Sequence, residues 1–143
     1  MGGGLGGVSI CLSRIWPDCH FTVADFDHTD IGLRTYNYGT ENSFAAYNDL
    51  AATKELLMAT GTKGEAINLI NGLPESSYAI TFSVLSWGFH YPVDTYAWWA
   101  WKRSGITILD CRANTGAKDD LSRYWDDVEL IESYGKHEWY RCT

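Results

Sequence analysis

The segment Gly2-Gly3-Gly4-Leu5-Gly6-Gly7-Val8-Ser9, with Phe21-Thr22-Val23-Ala24-Asp25 close behind it, sets the architecture. Glycines lack a Cβ and let the backbone approach a ligand, and the first turn of a helix offers unpaired amide donors to negative charge. The segment satisfies G-x-G-x-x-G through Gly2, Gly4 and Gly7, and G-x-G-x-G through Gly2, Gly4 and Gly6. Val8, Cys11, Leu12 and Ile15 recur at helical spacing, and Pro17 stops that helix soon after Trp16. The short β-forming run Phe21 to Ala24 then ends in Asp25-Phe26-Asp27. Asp25 so falls about 20 residues beyond the loop, where a carboxylate accepts hydrogen bonds from both hydroxyls of a ribose. Asp25 terminates the strand directly, whereas Asp27 lies in the following loop. Taken alone, the glycines also suit a flexible tail and Asp25 a solvated turn.

The alternation continues downstream. A polar stretch to about Asn42 leads into a helix from Ser43 through Met58, on which Phe44, Tyr47, Ala51 and Met58 share a face and which Gly61 ends. Glu65 to Asn71 reads as a strand, Gly72-Leu73-Pro74 as a turn, and Tyr78 to Leu85 as a nearly continuous apolar strand covered on both faces. Asp94 to Arg103 reads as a helix whose tryptophans pack in the core, closed by Gly105 ahead of the strand Ile106 to Cys111. A short helix around Leu121 to Trp125 precedes strands Val128 to Glu132 and Glu138 to Cys142, which the turn Tyr134-Gly135-Lys136 makes antiparallel. The chain therefore reads as a single α/β domain, 1–143, with a Rossmann-like, mostly parallel sheet, helices on both faces and an antiparallel C-terminal hairpin.

Composition narrows the function. A formal net charge of -7, with no basic run longer than Lys102-Arg103, argues against a nucleic-acid partner. No apolar run reaches the roughly 18 residues of a membrane span, and the N-terminus lacks the basic start of a signal peptide, so the expected location is the cytoplasm. Gly6 stands where a myristoylation signal wants Ser or Thr. Cys11, Cys19, Cys111 and Cys142 are dispersed, and neither they nor His20, His28, His90 and His137 fall at metal-ligand spacing; free thiols and no metal are expected.

At these residues the sequence resembles the class I S-adenosylmethionine-dependent methyltransferases. Gly2 to Ser9 looks like motif I, Val23-Ala24-Asp25-Phe26-Asp27 like the acidic segment that follows it, and Ser83-Val84-Leu85-Ser86-Trp87-Gly88-Phe89-His90-Tyr91-Pro92 like the motif IV strand end and loop. Tyr47-Asn48-Asp49-Leu50 and Ile108-Leu109-Asp110-Cys111-Arg112 resemble stretches of bacterial small-molecule or sugar methyltransferases. The resemblance implies S-adenosylmethionine as cofactor, held by Gly2, Gly4, Gly6 and Asp25, with Asn71 at the adenine. It also implies a central first strand ending in an acid just before motif I. No residues stand for that strand here, so a truncation before motif I, with its first central strand missing, is expected.

His90 falls beyond the strand Tyr78 to Leu85 at the carboxyl edge, where an imidazole suits proton abstraction near neutrality; it is the candidate base for a hydroxyl acceptor on a small-molecule substrate. Trp87 and Tyr91 are candidates to wall the cofactor and the substrate, and packing is the alternative for each. Asp94 reads as a helix cap. Two other functions fit parts of the pattern. A nicotinamide-dependent oxidoreductase shares the loop and the ribose acid, and a non-catalytic fragment or pseudoenzyme would keep the fold without turnover. Oligomeric state leaves no mark on the sequence.

Overall fold

The computed structural model describes residues 7–25, 50–84 and 86–143. They fall into two compact units, one ending at Pro74 and one beginning at Glu75. The architecture is mixed α/β, with one parallel sheet and one mixed sheet that ends in an antiparallel hairpin.

In the first unit, helix α1 (Gly7–Ile15) begins on the last glycine of the run, and strand β1 (Phe21–Asp25) follows. Helix α2 (Leu50–Ala59) and a short 3-10 turn (Gly64–Ala66) lead into strand β2 (Ile67–Asn71), which pairs with β1 in parallel. Helix α1 has no fully buried residue, and α2 buries residues other than those whose spacing suggests a shared face. On α1, Val8, Cys11 and Ile15 are exposed and Leu12 is half-buried, while Ile10 packs against the core of Val23, Leu57 and Ile67. The Thr62 hydroxyl donates to Ser13 Oγ at 3.1 Å, a polar contact that helps to hold the helix. On α2, Leu50, Thr53 and Leu57 are buried and Ala51 and Met58 are exposed. The expected start of this helix at Ser43 lies outside the described residues.

Gly61 ends α2 as expected. Its φ of +95° belongs to the left-handed region, and the Gly61 and Thr62 amides donate to the carbonyls of Met58 and Leu57 at 3.0 and 3.1 Å. That pair of bonds satisfies carbonyls the helix leaves open.

The second unit is built on strands β3 (Tyr78–Ser83), β4 (Ser86–Tyr91), β5 (Ser104–Arg112), β6 (Val128–Tyr134) and β7 (His137–Cys142), with helices α3 (Asp94–Arg103) and α4 (Ala117–Leu121). The sheet order is β3-β5-β7-β6, with β3 and β5 parallel and β7 antiparallel to both its neighbours. Gly135, at φ +60°, takes the first place of the two-residue turn between β6 and β7, where a II′ turn requires glycine. Alternate residues of β5 and β7, among them Leu109, Cys111, Tyr140 and Cys142, form a buried face against which Leu121, Trp125 and Val128 add further buried surface.

Four expectations need correction here. Tyr78 to Leu85 is not one covered strand: Ala79 and Ile80 are exposed, β3 stops at Ser83, and the Ser83 hydroxyl accepts from the Trp87 amide at 3.0 Å to start β4. Gly105 lies inside β5, where a Cβ would come within 3.0 Å of the Ala79 carbonyl oxygen; it serves close strand approach, not helix closure. Helix α4 runs from Ala117, earlier than the expected Leu121 to Trp125, because Gly116 at φ +76° allows the chain to turn into it there. Of the α3 tryptophans Trp99 is core, whereas Trp98 and Trp101 are exposed.

Candidate functional site

Open α/β sheets bind ligands at the carboxyl ends of their parallel strands, because loops and helix N-termini gather there. In the first unit that edge carries Asp25 and Asn71, the last residues of β1 and β2, which are direct register partners. Adjacent strands lie about 4.8 Å apart, so the two positions form one rim. Gly72, at φ +105°, then turns the chain away from the sheet. Gly2, Gly4 and Gly6 lie outside the described residues, but Gly7 opens α1. Ile10 of α1 packs against the core cluster of Val23, Leu57 and Ile67.

The second unit presents a different constellation at the carboxyl end of β5. Asp110 is only 1% exposed, yet it carries a carboxylate. The His137 Nδ1 lies 2.9 Å from Asp110 Oδ1 and 3.1 Å from Oδ2. A carboxylate only accepts, so Nδ1–H is the donor, and in the neutral ring the lone pair is on Nε2. Strand register explains the meeting. Asp110 stands opposite Trp139 and Arg112 opposite His137, which makes Asp110 and His137 diagonal neighbours on one face of the sheet. The Phe89 ring stacks on the imidazole, with centroids 4.8 Å apart and planes 16° from parallel. The Arg112 guanidinium lies 5.1 Å from the centroid of the same Phe89 ring.

The residues expected from sequence divide between these places. His90 and Tyr91 lie within β4, not in a loop beyond an apolar strand; the β-forming aromatics of 86–91 carry the chain into a further strand. Trp87 is wholly buried, its indole N–H donating to the Val93 carbonyl at 2.7 Å and its ring meeting Tyr96 edge to face at 6.2 Å. Packing is the role these contacts define. Asp94 sits in the first turn of α3 and pairs with Arg123 at 3.3 Å. The sequence reading missed the Asp110 and His137 pair, which are separated by 27 positions. The only local signal is an acidic residue set in the apolar strand Ile106 to Cys111.

The thiols behave as two classes. Cys11 and Cys19 are exposed, and Cys111 and Cys142 are buried. Burial pushes both inner thiols up to about 12 from 9.0; the Cys142 thiol and the Asp110 and Glu138 carboxylates add to this at Cys111, and Asp127 adds at Cys142. The folded state thus keeps protons that the unfolded chain releases. This contribution to stability is complete below pH 9.0 and is lost as the pH rises towards 12. Titration with a disulfide reagent at about pH 8 should modify Cys11 and Cys19 in the native protein and the other two only after denaturation. Equal reaction of all the thiols in the native state would overturn this assignment.

Among the described residues no group of three or more His, Cys, Asp or Glu converges as a metal site, and no helix is long and apolar enough to cross a membrane. Comparison with known proteins finds no family model and no curated protein that matches the chain.

Proposed function

We propose that this protein transfers a methyl group from S-adenosylmethionine to a hydroxyl of a small-molecule acceptor. The observation that carries the reading is the adjacency of Asp25 and Asn71 at the carboxyl ends of β1 and β2. A carboxylate and an amide on one strand-end rim are the groups that a ribose diol and an adenine edge require. Strand order adds support, each sheet taken by itself. In the doubly wound order 3-2-1-4-5-6, the pair β2-β1 corresponds to 3-2 and the pair β3-β5 to 4-5. Beyond β5 the parallel order of the dinucleotide-binding fold gives way to an antiparallel strand, which favours the methyltransferase reading over a nicotinamide-dependent oxidoreductase.

The cofactor supplies an electrophilic methyl group on a sulfonium. The protein's part is to hold the acceptor oxygen in line with that methyl group and to accept the proton the oxygen gives up. His90 is the base the sequence nominates.

Isothermal titration with S-adenosylmethionine, S-adenosylhomocysteine and NAD tests the reading. Binding of the first two and not of NAD is the expected result. Asp25→Ala should weaken S-adenosylhomocysteine by about 1.5–3 kcal/mol, the worth of a charge-assisted contact, and Asp27→Ala by little. The reverse ranking would move the ribose contact to Asp27, and selective NAD binding would remove the methyltransferase reading altogether. Cofactor binding without methylation of any hydroxyl acceptor would instead mark a pseudoenzyme.

A further inference from the structure

We infer that the Asp110 and His137 pair is a proton-accepting site for a hydroxyl-bearing small molecule, with His137 Nε2 as the base and Asp110 as its positioning residue. The base stands on geometry alone.

A buried carboxylate is costly unless it is engaged, and Asp110 meets the half-buried His137 with both oxygens. That contact fixes the imidazole in one tautomer. Stacking on Phe89 fixes the ring plane. The His137 side chain keeps 32% of its surface exposed, and Nε2 has no hydrogen-bond partner among the described residues. Here one nitrogen is held by the fold and the other is offered outward, which is the arrangement of an oriented general base. Arg112, opposite His137 and lodged against Phe89, forms no ion pair among the described residues. Its positive charge beside the base favours an acceptor oxygen as negative charge develops on it.

The test does not require the natural acceptor. Side-chain nitrogen NMR of the intact protein should show neutral His137 as the single Nδ1–H tautomer. Asp110→Asn, whose amide can donate as well as accept, should yield a mixture. Hydrolysis of p-nitrophenyl acetate reads the exposed nitrogen. Nε2 attacks the ester carbonyl, p-nitrophenolate leaves with the electron pair of the broken C–O bond, and water then cleaves the acyl-imidazole to acetate. His137→Gln should lower this rate by about tenfold or more, and His20→Gln should not change it. If Asp110→Asn fails to fold, the wild-type tautomer and the His137→Gln rate decide the matter. Mixed tautomers in the wild type, or an unchanged rate in His137→Gln, would overturn the inference.

The two readings fail separately. Loss of the ester reaction in His137→Gln, together with absent binding of S-adenosylmethionine, would leave the base standing and remove methyl transfer. Binding of S-adenosylmethionine with an ester rate unchanged in His137→Gln would do the opposite.

Discussion

Replacing Trp87 by alanine should destabilise the protein by about 3–5 kcal/mol, the usual cost of emptying a fully buried large aromatic site. Trp87 has no exposed surface, its indole N–H is bonded to the Val93 carbonyl, and its backbone amide is bonded to the Ser83 hydroxyl. The side chain therefore ties β4 to the start of α3, while the backbone amide bond to Ser83 remains in the variant. Chemical denaturation should show a lower midpoint with an unchanged slope. Trp87→Phe separates the contributions: it restores most of the packing and removes only the indole bond to the Val93 carbonyl, which still accepts from the Ala97 amide at 3.2 Å, so the loss should be about 0.5–1.5 kcal/mol. A midpoint unaffected by Trp87→Ala would mean that the residue is peripheral and would reopen its candidacy as a cofactor wall.

The second large effect is expected at Gly88. A Cβ there would lie 2.8 Å from Cys111 Sγ and 3.4 Å from the Asp110 carbonyl oxygen, and φ is +87°. Gly88→Ala thus combines a clash of about 1–3 kcal/mol with a backbone penalty of about 1–2 kcal/mol. The two parts can be divided. Removing the sulfur with Cys111→Ala should recover the steric part in the double variant and leave the backbone part, a coupling that a double-mutant cycle measures directly. Additive effects would show that Cys111 is not what Gly88 makes room for. The same close approach brings Phe89 of β4 to the edge of β5 and β7, so the integrity of the Asp110 and His137 site is tied to a residue that has no side chain.

Local signals in the sequence carried elements well and faces poorly. Helix α3 has the bounds read from Asp94 to Arg103, since an acidic first turn and Lys102-Arg103 in the last turn mark its ends. The hairpin was legible from Gly135, and β1 from a short β-forming run that stops at an acid. The buried faces of α1 and α2 were not legible. Their apolar residues surround more of the helix than a single stripe, and tertiary contacts such as Ser13 with Thr62 choose among the faces. The break between Ser83 and Ser86 was hidden because serine is neutral to strand formation and β-forming residues flank both sides. Of the candidate site, the Asp25 rim follows from spacing within a βαβ unit. The Asp110 and His137 pair depends on the pairing of β5 with β7, and long-range register has no local signature.

That register also governs how the C-terminal hairpin can drift in length over evolutionary time. Side chains alternate faces along a strand, so one residue gained or lost within β7 would turn His137 away from Asp110, and two would carry it roughly 7 Å along the strand. Strand β6 is under no such restriction. It lies at the end of the sheet order and already absorbs an irregularity between Leu130 and Glu132. Length variation among descendants of this chain would therefore accumulate in β6, while the span from Gly135 to Cys142 stays constant in length even where its residue types change.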